Sequence, residues 1–107
     1  MDNDQDILSR IRHSANRKIL FLPHALRQMS RPDRMITPAE IRDVINHGEI
    51  IENYPEDNRG HSDLILGYGA GQRPIHVVCS PKEDFLAIIT AYIPNTENWS
   101  ADFRERL

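Results

Sequence analysis

The chain has a single cysteine, Cys79, so no intramolecular disulfide and no cysteine-rich metal site can form. A reducing cytoplasm is the expected setting. Aromatic residues are scarce, at 7%, which suits a small sheet with helices on one face better than a thick sandwich. No apolar run approaches the ~18 residues that span a bilayer. The opening Met1-Asp2-Asn3-Asp4-Gln5-Asp6 is acidic, whereas a secretory leader starts basic, so a cytoplasmic protein with no membrane partner is expected. An excess of positive charge is also missing. The net charge of −3 argues against strong generic nucleic-acid binding, which draws its affinity from a cationic surface. The five histidines form no His-Glu-x-x-His motif and no pair at helical offset, so no metal site and no cofactor are expected. Gly67-Tyr68-Gly69-Ala70-Gly71 is rich in glycine but lacks the Gly-Lys-Ser/Thr ending of a phosphate loop, and reads as a hairpin turn.

A chain of 107 residues has room for one domain with a single core. Residues 4–16 read as a first helix, with Ile7, Leu8, Ile11 and Ala15 at helical spacing. Pro23 suits the first turn of a second, from His24 to about Met29. Thr37, Pro38 and Glu40 make a capping box for a third helix, with Gly48 as its stop. Four strands follow, at about 50–54, 62–68, 73–80 and 85–93, and their short connections predict antiparallel neighbours. Trp99 to Arg106 reads as a short C-terminal helix, with Ser100 a candidate cap. The expected fold is therefore α+β, with N-terminal helices on one face of a four-stranded antiparallel meander. Residues 1–20 form an N-terminal helical extension and residues 21–107 a single α+β domain.

Strand side chains alternate between faces. The odd positions Ile75, Val77, Cys79, Phe85, Ala87, Ile89 and Ala91 are wholly apolar and predict the helix-covered face. The even positions, among them His76, Thr90 and Tyr92, predict the other, joined by Leu64, Leu66 and Tyr68. An apolar middle with polar heads suits a ligand groove, a solvated face or a covered one.

Several motifs resemble a known family. Phe21-Leu22-Pro23-His24-Ala25-Leu26-Arg27-Gln28-Met29 is followed by Arg34-Met35-Ile36-Thr37, by Gly48-Glu49-Ile50-Ile51-Glu52-Asn53-Tyr54-Pro55 and by Leu66-Gly67. Arg73-Pro74-Ile75-His76-Val77-Val78, Ile89-Thr90-Ala91-Tyr92-Ile93-Pro94, Trp99 and Phe103-Arg104 complete the series. Over about residues 22–106 the order and spacing resemble domain-of-unknown-function family 4258 of bacteria and archaea. The resemblance implies a fold related to the RelE-like ribonuclease toxins, barnase-like in outline, and a zinc-finger, YgiT-like antitoxin as partner. The chain departs from the family pattern at three places. Gln28 stands where an arginine is common, with Arg27 one place early. The connector Ser30–Asp33 is longer, and Met35 replaces a glycine. Phosphate contacts of the missing arginine would fall to Arg27, Arg31 or Arg34.

Metal-free RNA cleavage needs a base for the 2′-hydroxyl proton, an acid for the leaving 5′-oxygen and cations for the phosphorane. Imidazoles suit both proton roles and guanidinium forks suit phosphate. The candidate catalytic residues are His24, His61, His76, Arg73 and Tyr92, and the candidate nucleic-acid contacts are Arg27, Arg31, Arg34 and Arg59. Each also has a structural reading, as a cap, a packed side chain or an ion-pair member. The expected function is a toxin-like domain that cleaves or binds RNA. The alternative is a non-catalytic protein-interaction domain using the same sheet face.

Overall fold

Local sequence accounts for the three helices of the computed structural model, which describes residues 3–107. The first helix, α1, spans Asp4–Arg17, and the Asn3 side chain caps it by accepting from the Asp6 amide at 2.9 Å. Pro23 opens α2, Pro23–Met29. The third helix, α3, spans Pro38–His47 behind the expected capping box: Thr37 Oγ1 accepts from the Glu40 amide and Glu40 Oε1 from the Thr37 amide, both at 3.1 Å. Gly48 ends this helix because of crowding rather than a left-handed turn. Its backbone is extended, and a Cβ there would lie 2.5 Å from the Val44 carbonyl oxygen and 2.6 Å from that of Leu66.

The remaining strands are β1, Ile19–Phe21; β2, Glu49–Tyr54; β3, Ser62–Tyr68; β4, Pro74–Pro81; and β5, Leu86–Tyr92. They form one five-stranded sheet in the order β1-β5-β4-β3-β2. The β2–β5 part is the expected antiparallel meander in sequence order. The expectation of four antiparallel strands is corrected by β1, which pairs parallel to β5 and makes the sheet mixed. Leu86 donates its amide to the Lys18 carbonyl at 2.8 Å, and Leu22 donates to Ile88 at 3.0 Å. Three residues are too few to show a period of two, yet the open edge of β5 offers them a ladder.

One face of the sheet lies under the helices. Ile65, Ile75, Val77, Cys79, Leu86, Ile88 and Ala91 pack there against Ile11, Ala25, Ile41, Val44 and Ile45. Helix α1 belongs to this same core through Ile7, Leu8, Ile11 and Ala15. The predicted face holds for β4 and for Ala91 but fails for Phe85, Ala87 and Ile89. A bulge between β4 and β5 moves the partner of Cys79 to Ile88, after Val78 has paired with Thr90, and leaves Ile89 as the extra residue. One inserted residue reverses the parity of everything before it, so Leu86 and Ile88 face the helices. Ile89 is buried outside that cluster.

The expected C-terminal helix is absent. Residues 99–106 form turns closed by a single bridge between Trp99 and Arg106. Ser100 Oγ accepts from the Glu105 amide and Asp102 Oδ1 from the Arg104 amide, each at 3.1 Å, and Phe103 sits at φ 64°. Short polar side chains that satisfy nearby amides compete with helix formation.

Candidate functional site

The C-terminal turns cover the sheet face opposite the helices. Cross-strand partners share a face, so the register places Glu49 with Leu66, Glu52 with Leu64, and His76 with Leu66 and Tyr92. Arg104 pairs with Glu49, and Arg106 with Glu52 at 2.9 Å. The Arg106 guanidinium lies 4.6 Å from the centre of the Trp99 ring, whose edge-on contact with His76 has centroids 4.4 Å apart. Tyr54 donates its hydroxyl to Glu52, and desolvation of the phenol, reinforced by that carboxylate, pushes its pKa up to about 12.

His76 is sealed beneath this strap. Its Nε2–H donates to the Phe103 carbonyl at 2.9 Å. That bond fixes the tautomer, so Nδ1 accepts from the Tyr92 hydroxyl at 3.2 Å. Burial moves its pKa below the ordinary imidazole value, so it is neutral at pH 7. The arrangement ties the strap to the sheet and orients Tyr92, whose own pKa is raised by burial.

Arg73 is held in a dense ionic knot. Its Nε donates to Glu40 Oε2 at 2.9 Å and its Nη2 to Oε1 at 2.7 Å. The same guanidinium donates to the carbonyls of Arg34 and Met35. Glu40 also accepts from the Ala70 amide at 2.8 Å. The Arg73 fork outweighs burial and lowers the Glu40 carboxyl to about 2. Arg73 therefore clamps the connector between α2 and α3, and through that connector it places Arg34.

Arg34 leads to the site that the geometry does assemble. A cleft of about 420 Å³ opens between α2 and the end of β5, lined by His24, Gln28, Arg34, Thr90, Tyr92 and Asn98 among others. None of its lining residues is a carboxylate. Arg34 Nη1 donates to Gln28 Oε1 at 3.1 Å, so a guanidinium stands beside the Gln28 amide within the lining. Arg27 is exposed three residues from His24 on α2, a spacing that keeps two helical side chains on one side. Arg31 follows the helix and pairs with Asp33 at 3.3 Å.

The other candidates lie elsewhere. Arg59 forms a two-pronged pair with Asp57, at 3.0 and 3.2 Å, and holds that carboxyl well below its usual range. His61 lines a second cavity with Asp63, at the opening of β3. The cleft thus brings together His24, Arg34 and Tyr92, while His61, Arg59 and Arg73 do not line it. Sequence reasoning missed Asn95 and Asn98, which line the cleft beyond Pro94, and Asp63, whose signal was the two-residue step from His61. Among the described residues no cluster of three or more histidine, cysteine or acidic side chains is placed to hold a metal ion.

A family model described as Domain of unknown function (DUF4258) matches residues 21–93, and the chain belongs to this family. No curated protein and no solved structure matches it.

Proposed function

We propose, from membership of this family, that the domain binds single-stranded RNA in the cleft between α2 and β5 and cleaves it without a metal. The observation that carries this reading is the absence of any carboxylate from a cleft that presents His24, Arg34 and Tyr92 together. Phosphate neutralisation supplies most of the affinity of such a site, and an acid-free lining removes the main opposing charge. Arg34 faces the phosphate, in place of the arginine that Gln28 replaces. His24 is the exposed imidazole of the cleft; as base it takes the proton of the attacking 2′-hydroxyl, and the imidazolium so formed returns that proton to the departing 5′-oxygen, leaving a 2′,3′-cyclic phosphate. The Tyr92 hydroxyl donates to His76, so it offers the ligand its lone pairs rather than its proton. Asn98 supplies amide donors for a base or sugar.

A relation to RelE-like toxins, which the family resemblance implies, would support the same reading, and the helix-backed antiparallel part of the sheet, β2–β5, is compatible with it. An antitoxin-type partner of the zinc-finger kind would then cover α2. Leu26, 47% exposed, and Met35, 62% exposed, offer that partner apolar contacts on the helix and on the connector after it. The same two residues favour the second reading, a non-catalytic protein-interaction domain.

Purified protein is incubated with single-stranded RNA, with and without chelator, beside His24→Ala and Arg34→Ala, with folding checked by circular dichroism. Expression in a naive host is scored for growth arrest. The expected result is chelator-resistant cleavage, lost in His24→Ala, and RNA binding weakened roughly tenfold in Arg34→Ala, the worth of one charge-assisted hydrogen bond. Wild-type protein that neither binds nor cuts RNA, in cells that grow normally, would overturn the proposal and leave the interaction reading.

A further inference from the structure

An anion entering the cleft between α2 and β5 meets a conflict at Tyr92. This tyrosine lines the cleft, yet its hydroxyl proton is directed away from the ligand, to His76 Nδ1 at 3.2 Å. The opposite ring nitrogen fixes that direction, because Nε2–H donates to the Phe103 carbonyl at 2.9 Å and a neutral imidazole has only one donor. A phosphate oxygen beside Tyr92 therefore meets phenolic lone pairs, acceptor against acceptor. His76 itself is fully buried and does not line the cleft. Its two ring neighbours do: Trp99, with centroids 4.4 Å away, and Tyr92, at 5.3 Å.

One added proton removes the conflict. An imidazolium donates from both nitrogens. Nε2–H keeps its bond to the Phe103 carbonyl, strengthened by the charge. Nδ1–H donates to the Tyr92 oxygen, and the phenolic O–H, held near its ring plane, turns to the side away from His76. The charged groups on this face leave room for the change. Strand β3 presents Leu64 and Leu66 there, and β2 presents Glu49, Glu52 and Tyr54. The strap brings Arg104 and Arg106, each paired with one of those carboxylates. Glu52 favours the imidazolium and Arg106 opposes it, so burial is the main cost.

We propose that a phosphate-bearing ligand enters this cleft together with one proton, which His76 takes up and which turns the Tyr92 hydroxyl from acceptor to donor. His76 thereby joins the RNA reading of the cleft, on which this rests, as a positioning residue acting through Tyr92. Uptake needs no opening of the strap. The Tyr92 hydroxyl passes its proton to Nδ1, and its oxygen takes another from solvent. One proton enters in all, and one positive charge is added behind the bound phosphate. Ligand and proton then assist each other equally, as linkage requires. RNA raises the His76 pKa. Affinity rises as pH falls through the pKa of the complex and levels off below that of the free chain.

The test follows the His76 ring nitrogens of the full chain by NMR, free and saturated with a single-stranded 2′-O-methyl oligonucleotide, which cannot be cleaved. Fluorescence anisotropy measures its affinity from about pH 7.5 to about pH 5.5, with folding checked at each pH. Wild type is compared with Tyr92→Phe and His76→Asn. In the free chain at neutral pH, Nε2 should carry the proton and Nδ1 should not. The ligand should move the His76 titration upward in wild type and leave it in place in Tyr92→Phe. Near pH 7.5 Tyr92→Phe should bind at least as tightly as wild type, because it removes the opposed lone pairs. Near pH 5.5 it should bind about tenfold more weakly, the worth of one charge-assisted hydrogen bond. A merely structural tyrosine would give no such crossover. His24 titrates in wild type and variants alike, so the difference between them isolates His76. Binding with the same pH profile in wild type, Tyr92→Phe and His76→Asn, or a free chain with the proton on Nδ1, would overturn this coupling and leave the RNA reading standing. No binding at any pH would overturn both.

Discussion

Met35 carries a side chain where the backbone is left-handed, at φ 46°. Glycine adopts that backbone without the clash a Cβ brings. A side chain in this region costs roughly 1–2 kcal/mol, while glycine forfeits about 0.4–1 kcal/mol by loosening the unfolded chain. Met35 is 62% exposed, so little packing would be lost. Met35→Gly should therefore raise stability by about 0.5 kcal/mol in urea denaturation, and a loss above about 1 kcal/mol would show that the methionine packs usefully. Residue types alone made the candidate list legible, but they could not rank it. Arg73 and Arg34 look alike in the sequence. One is consumed by Glu40 and two carbonyls, and the other is delivered to a cleft. His76 and His24 differ in the same way, and only the C-terminal strap, which no local pattern announced, distinguishes them.

At the scale of elements, that strap makes a pH response. Trp99 is the one tryptophan in the chain; it is buried and rests against His76. The folded pKa of His76 lies below its ordinary value of 6.5, so between the two values the unfolded chain binds the extra proton. The stability contributed by neutral His76 is present above pH ~6.5 and is lost as pH falls through the folded pKa. Thermal unfolding followed by Trp99 emission should show a midpoint that drops on going from pH 7 to pH 5. His76→Asn should be less stable at pH 7 but show a shallower drop, and an equally steep profile would assign the effect to another group. Legibility followed the length of each signal. The capping box of α3 and the turns between β2 and β5 are local and were readable. The bulge was not, because one inserted residue leaves the composition unchanged while reversing the faces. Strand β1 was too short to announce itself. The helix expected at 99–106 rested on Ser100 as its cap, and the Ser100 and Asp102 side chains instead satisfy the amides of Glu105 and Arg104 within turns.

Over the whole molecule, charge is distributed against its own sum. The protein carries 13 basic and 16 acidic side chains, a net charge of −3, yet Arg34 lines a cleft whose described lining residues include no carboxylate, and Arg27 is exposed on the adjoining helix α2. Several of the acids are spent locally: Glu40 on Arg73, Glu49 on Arg104, Glu52 on Arg106 and Asp57 on Arg59. Those pairs remove cations from the pool as well, which leaves Arg27 on α2 and Arg34 in the connector after it, joined by Arg31 once it gives up its exposed pair with Asp33, as the counter-charge for a polyanion. If all three neutralise phosphates of single-stranded RNA, the logarithm of affinity should fall with the logarithm of salt at a slope of about −2, at roughly 0.7 per phosphate. Arg27→Ala and Arg31→Ala should each flatten that slope by ~0.7 and weaken binding to all sequences alike. Fluorescence anisotropy with a labelled oligonucleotide between low and physiological salt measures it directly. The overall negative charge repels RNA at long range, so binding should be modest at physiological salt and strengthen steeply below it. A slope near zero, or one unchanged in both variants, would mean that this arginine cluster does not meet phosphate and that the surface of α2 serves a protein partner instead.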